Sequence, residues 1–119
     1  MSFDYLSKKI SDKQVLIFLD LEGTQFSHTP IEIGMVAYLK GDGLFLGEKL
    51  FTYQSYINTN GRIGKVVSDL TGITKELLLN KGKSKTIVLK EIINLLRAYS
   101  KKKFIAYGEQ DLKMLRHFI

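Results

Sequence analysis

Residues 17–36 read IFLDLEGTQFSHTPIEIGMV, and the fold turns on how this stretch is divided. Its first part belongs to an apolar run, VLIFLDL at residues 15–21, rich in strand formers and too short for a helix. The pattern predicts a buried strand. It ends in Asp20-Leu21-Glu22. Side chains alternate along a strand, so Asp20 and Glu22 project to one face. Two carboxylates held that close repel unless something positive lies between them. A divalent cation is the usual remedy, and an all-oxygen donor set suits Mg²⁺ or Mn²⁺. The doublet taken alone is equally a strand end with two solvated acids, and taken alone it favours that plainer reading. Residues 23–30 (GTQFSHTP) read as loop, and residues 31–39 (IEIGMVAYL) as a second strand.

Working outward, Gly41-Asp42-Gly43 is a turn signal leading to a third run, residues 44–57. The three runs predict an antiparallel meander. Residues 58–62 form another turn cluster, after which the apolar period changes to that of helices. A short helix is predicted over residues 63–70 and stopped by Gly72. Thr74 can cap a second helix running to Leu79, with Glu76 in its first turn. Residues 80–85 (NKGKSK) read as a basic loop. Residues 86–100 give the clearest helix, with Val88, Ile92, Leu95, Leu96 and Tyr99 on one stripe. Lys101-Lys102-Lys103 is expected at its end, where the dipole favours cations. A short strand at 104–107 and a last helix at 111–118, with Leu112, Leu115 and Phe118 apolar, complete the order. Residues 1–13 are a polar lead-in. The order of three strands, helices, strand and helix suggests one domain over residues 1–119, an α/β or mixed α+β sheet covered by helices.

Composition narrows the classes. The chain has 119 residues, 45% hydrophobic and 25% charged, ordinary for a globular domain and unlike a disordered one. It has no cysteine, which excludes disulfide scaffolds, thiolate zinc sites and cysteine nucleophiles. No apolar run approaches bilayer length, and the first residues lack a basic start and long apolar stretch, so the expectation is a cytoplasmic protein without a membrane partner. Charge is uneven. The first sixty residues carry five Lys/Arg against seven Asp/Glu; the remainder carries thirteen against five. A basic half suits a polyanion such as nucleic acid, although lysines solvating helix faces give the same count.

A third acid, Asp111, stands at the start of the last helix. Helix starts favour Asp for capping and dipole reasons. The other reading makes it a third carboxylate beside Asp20 and Glu22. His28 and His117 read as surface or packing residues. Neither Gly61–Lys65 (GRIGK) nor the glycines at 41–47 have the spacing of a phosphate-binding or dinucleotide loop.

Together these motifs resemble the DEDD-type (DnaQ-like) 3′–5′ exonucleases of the ribonuclease H-like fold. In that family an apolar strand ends in Asp-x-Glu-x-Thr, and a second strand often carries Glu-Ile-Gly. Here Asp20, Glu22, Thr24 and the triplet Glu32-Ile33-Gly34 stand in those places. A Gly-Ile-Thr triplet appears at residues 72–74. FIAYGEQDLKML, residues 104–115, matches the second motif, a strand, a turn and an Asp opening a helix. Its Tyr-Gly-x-x-Asp form is similar to the Eri-like RNA-trimming branch, which commonly has Trp where this chain has Tyr107.

The resemblance covers residues 15–119. It implies an α/β fold, a ribonuclease H-like mixed sheet of three antiparallel strands plus at least one parallel strand with flanking helices. It implies metal-dependent hydrolysis of phosphodiester bonds in single-stranded nucleic acid, RNA favoured over DNA, at a two-metal site for Mg²⁺ or Mn²⁺. It implies Asp20, Glu22 and Asp111 as catalytic, metal-binding acids, and Thr24, Phe26 and Tyr107 as substrate-binding residues. One departure stands out. The family's third motif, on a C-terminal helix, supplies a general-base histidine and a fourth metal-binding aspartate, and no segment of this sequence matches it. His117 is too close to Asp111 to replace it. The expectation is a domain lacking the usual C-terminal strand and helix, weak or inactive by itself, with a second copy or a completing chain as partner. Two alternatives stay open: a non-catalytic nucleic-acid-binding or assembly module, and a degenerate fragment whose uncovered apolar surface drives association.

Overall fold

Alternation, not continuous apolarity, sets the first strand. The computed structural model describes residues 14–24, 29–41, 46–59, 62–106 and 108–118, with the side chains of residues 111, 113–116 and 108 in the last of these segments. Strand β1, Val15–Gly23, buries Val15, Ile17, Leu19 and Leu21 almost completely, whereas Asp20 is exposed and Leu16, Phe18 and Glu22 are partly so. The buried strand of the sequence reading is therefore buried on one face only.

Strands β2 (Pro30–Lys40) and β3 (Leu46–Tyr56) continue the antiparallel meander, and β4 (Lys102–Ala106) pairs parallel to β1. The sheet order is β3-β2-β1-β4, the mixed α/β sheet expected. Three helices, α1 (Lys65–Thr71), α2 (Lys75–Lys81) and α3 (Lys85–Leu96), cross from β3 to β4. The last helix, α4 (Glu109–Phe118), follows β4.

One face of the sheet carries the core. Val15, Ile17, Leu19, Leu21, Ile33, Met35, Ala37 and Leu39 pack there with Val88 and Ile92 of α3 and Met114 of α4. Burying these side chains is worth roughly 1.5–3 kcal/mol for each large aliphatic, so this face dominates stability. A smaller cluster of Ile31, Ile73 and Leu78 seats α2 beneath the end of β2. The opposite face of the β3-β2-β1 meander is open, with Phe18 edge-on to Tyr38 at 6.1 Å between ring centroids.

Local chemistry explains the helix ends. Gly72 takes φ 75°, a left-handed turn open to glycine, and returns its N–H to the Ser68 carbonyl. The Thr74 hydroxyl accepts from the Leu77 N–H at 3.1 Å, and the Ser84 hydroxyl accepts from Ile87 at 3.2 Å.

Two expectations need correction. The predicted basic loop at 80–85 is mostly ordered structure: Asn80 and Lys81 finish α2, Lys83 bridges to Ile57, and Lys85 opens α3. The third helix stops at Leu96 instead of Ser100, because the chain turns there, with the Tyr99 N–H donating to the Leu96 carbonyl. Lys102 belongs to β4, and its ammonium reaches back to the helix end where a cation was expected, donating to the carbonyls of Leu96 and Tyr99. In the last helix Leu115 of the predicted stripe packs against the core, and Met114, outside that stripe, is buried in it. The expected lead-in at 1–13 and most of the turn at 41–43 lie outside the described residues.

Candidate functional site

The parallel pairing of β1 with β4 decides where the acids meet. Leu19 stands opposite Ala106, the last described residue of β4, and β1 continues through Asp20 to Gly23. Helix α4 starts at Glu109, three residues past the end of β4, and carries Asp111 in its first turn. Asp111 thus comes from the helix that packs on the core face yet sits at the carboxyl ends of β1 and β4, the region where open α/β sheets offer a crevice. It is 9% exposed.

The alternation argument holds for the other two acids. Asp20 and Glu22 share the open face, Asp20 opposite Gly34 and Glu22 opposite Glu32. Partial burial, followed by the charges of Asp20, Glu32 and Asp111, raises the Glu22 carboxyl above its ordinary value. That coupling ties all four acids to one neighbourhood. Among the described residues no three Asp, Glu or His side chains are already gathered tightly enough to hold a metal. The acids are neighbours, not a closed cage.

Two further residues were not assigned roles by the sequence reading. Glu32 was visible only as part of a motif, and Gln54 not at all. Gln54 donates from Nε2 to Glu32 Oε2 at 2.8 Å. The signal that finds Glu32 is register: once β1 and β2 pair antiparallel with Asp20 against Gly34, Glu22 must face Glu32. Gln54 sits on β3 opposite Gly34, whose missing side chain leaves the floor between it and Asp20 bare. A hollow of about 470 Å³ opens there, bordered by Phe18, Asp20, Gly34, Val36, Thr52 and Gln54.

Thr24 is 2% exposed, just past β1. Its N–H donates to the Thr29 carbonyl at 3.2 Å, and its own carbonyl accepts from Gly64 at 2.9 Å. It ties the end of β1 to the segment that leads into α1. Phe26, His28 and Tyr107 lie outside the described residues, as does the side chain of His117.

Comparison with solved structures matches this architecture. A 3′-exonuclease solved in a study of 3′-end recognition of the histone mRNA stem-loop superposes with a TM-score of 0.66 over 92% of this chain and 44% of its own, at 22% identity. The chain has the ribonuclease H-like fold of the 3′–5′ exonucleases. Cell-death related nuclease 4 gives a TM-score of 0.63 at 20% identity, over 82% of this chain and 36% of its own. Exonuclease I from Methylocaldum szegediense gives 0.69 at 15% identity, over 87% and 23%. The chain therefore spans less than half the length of these exonuclease-fold structures. No family model matches it. No curated protein matches it either. Among the described residues no helix is long and apolar enough to cross a membrane.

Proposed function

We propose that this chain carries the acid site of a metal-dependent 3′–5′ exonuclease acting on single-stranded nucleic acid, with RNA favoured over DNA. The observation that carries the proposal is the meeting of Asp20 and Glu22 from β1 with buried Asp111 from α4 at the carboxyl ends of two parallel strands. The donor set fits a hard cation. It is all carboxylate, one member is nine-tenths buried, and another is pushed toward its protonated form by burial and its acidic neighbours. Asp20, Glu22 and Asp111 would hold Mg²⁺ or Mn²⁺. Such an ion, when bound, supplies charge stabilisation at a phosphodiester under attack.

The chain's own residues do the rest. The basic second half draws the phosphate backbone in, a sequence-independent attraction that weakens steeply with salt. Thr24, whose two backbone hydrogen bonds join the end of β1 to Thr29 and Gly64, would help to frame the 3′-terminal nucleotide. Phe26 and Tyr107 are the proposed stacking residues, since any base offers a π-face to an aromatic ring. No segment of these 119 residues matches the family's third motif, so the chain assayed by itself is expected to turn over weakly. Loss of a general base typically costs about 10²–10⁴ in rate.

The second reading is a non-catalytic nucleic-acid-binding module, completed by a second copy or another chain. It is favoured by the absence, among the described residues, of three acids gathered as a metal cage. One experiment separates the two: incubate 5′-labelled single-stranded RNA and a matched DNA with Mg²⁺ or Mn²⁺, with chelator, and with Asp20→Asn. A ladder shortening from the 3′ end and abolished by chelator and by the variant supports the exonuclease. Salt-sensitive binding without cleavage, unchanged in Asp20→Asn, supports the binding module.

A further inference from the structure

The open face of the sheet carries three chemistries in a fixed order. Alternation along β1 puts Leu16 and Phe18 on the same face as Asp20 and Glu22. Register then brings in the neighbours, since paired residues share a face. Leu16 stands between Tyr38 of β2 and Lys103 of β4, and Tyr38 in turn faces Lys49 of β3. Lys40, two residues beyond Tyr38, alternates to the same side. Three lysines from three strands are thus gathered at one end of the face, and the acids stand at the other. Leu16 and Asp20 are four residues apart along β1, about 13 Å at strand rise. Between the two ends lie the Phe18–Tyr38 ring pair and the hollow floored at Gly34.

Lys40, Lys49 and Lys103 are all exposed. Lys102 shows what the alternate position does: it turns to the helix side, where its ammonium donates to the carbonyls of Leu96 and Tyr99. Lys103, the next residue, is turned the other way, beside Leu16. The acid next to this group in sequence is Glu48, and with it counted the end remains net positive. The Phe18 and Tyr38 rings are both partly exposed and stand edge to face, with 82° between their planes. The adjoining hollow of about 470 Å³ has exposed Thr52 and Gln54 on its border. Aromatic rings followed by spaced cations suit an unpaired nucleic-acid strand, since bases have π-faces and the phosphates between them are charged. An apolar protein segment would use the rings and the hollow but would leave three lysines without a countercharge.

We propose that the open face of β1, β2 and β3 is a track for single-stranded nucleic acid upstream of the acid site, with bases against Phe18 and Tyr38 and the phosphate backbone on Lys40, Lys49 and Lys103. The inference rests on the exonuclease reading of the acids, which places the 3′ end of the strand at Asp20 and Glu22. It assigns the next nucleotides to the sheet itself, and it makes the lysine end a binding surface that works without a metal ion.

The test is fluorescence anisotropy of a 5′-labelled single-stranded RNA in chelator, so that nothing is cleaved, over a series of salt concentrations. The proteins are the wild-type chain, a face variant combining Lys40→Gln, Lys49→Gln and Lys103→Gln, and a control combining Lys81→Gln, Lys90→Gln and Arg116→Gln. The control removes the same charge from the helices. Thermal melts confirm that each variant folds. The slope of log affinity against log salt is expected to fall by about 2 in the face variant, at about 0.7 per phosphate contact on a single strand, and to hold in the control. Phe18→Leu is expected to lose about 5–150-fold in affinity for the RNA and little for an abasic strand of the same length. Tyr38→Leu serves if Phe18→Leu does not fold. Equal losses in the face variant and the control would mean that net charge, not this face, does the binding, and would overturn the track. So would a dimer in sedimentation that the face variant disrupts and RNA leaves intact, because a second copy would then cover the face. In either case a chelator-sensitive 3′ ladder from the wild type in Mn²⁺ leaves the exonuclease reading standing. A wild type that neither binds in chelator nor cleaves in Mn²⁺ overturns both.

Discussion

Replacing Glu22 with Gln should stabilise the metal-free protein at neutral pH. Glu22 faces Glu32 across the β1–β2 ladder and shares its face with Asp20 two residues earlier. Directly opposed strand side chains lie about 5 Å apart, and same-face neighbours along a strand about 7 Å. Coulomb's law in a water-like dielectric then gives repulsions of about 0.8 and 0.6 kcal/mol. Screening at physiological ionic strength, with a Debye length of about 8 Å, reduces their sum to about 0.7 kcal/mol. For a chain of this size that is a rise in Tm of about 3 °C. The direction with pH follows from burial and the neighbouring acids, which raise the Glu22 carboxyl. The folded protein binds that proton more tightly than the unfolded chain does. The native state therefore bears no penalty below the unfolded value and acquires one as pH rises through the raised folded value. Melts followed by circular dichroism should separate variant from wild type at about pH 7 and converge at about pH 3.5, below the ordinary carboxylate range. Adding Mn²⁺ should reverse the order, since a ligand that binds only the folded state stabilises the protein that can hold it. A variant no more stable than wild type at neutral pH would refute the reasoning.

Two further outcomes concern the scaffold. Ile17→Ala, at a position with no exposure on the helix-covered face of β1, should cost about 2–5 kcal/mol in urea unfolding. It should leave Mn²⁺ affinity unchanged in whatever fraction stays folded. Gly82→Ala should cost about 1–3 kcal/mol, because an added methyl would collide with the Leu78 carbonyl oxygen and meet the Asn58 nitrogen at 2.9 Å, both backbone atoms. Chemical denaturation checks it, and a neutral result would mean that the bridge between Ile57 and Lys83 yields more easily than its hydrogen bonds suggest.

The meander and the caps at Gly72 and Thr74 were legible because each depends on local chemistry: alternation, a turn, a hydroxyl or a left-handed glycine. The parallel fourth strand, which pairs with a strand far away in sequence, was legible only through the likeness to a known fold. The end of α3 was not, since it is set by a turn at Leu96 and by Lys102 reaching back from a strand. The pairing of Asp20 with Glu22 could be read from two-residue spacing. Glu32 and Gln54 could not be given a place, because which residues oppose each other is fixed by register, and register is fixed by the whole hairpin. The burial of Asp111 depends likewise on how α4 packs, through Met114, far from any motif.

Asp111 and Met114 stand three residues apart on α4, neighbours along one side of the helix, and Met114 packs in the same apolar cluster as Leu19 and Leu21 of β1. The aliphatic residues that flank Asp20 and precede Glu22 along β1 therefore share a core with the helix that bears the third acid. A change of volume in that core shifts Asp111 against Asp20 and Glu22, so the spacing of the acids is set from beneath the sheet as well as from its open face.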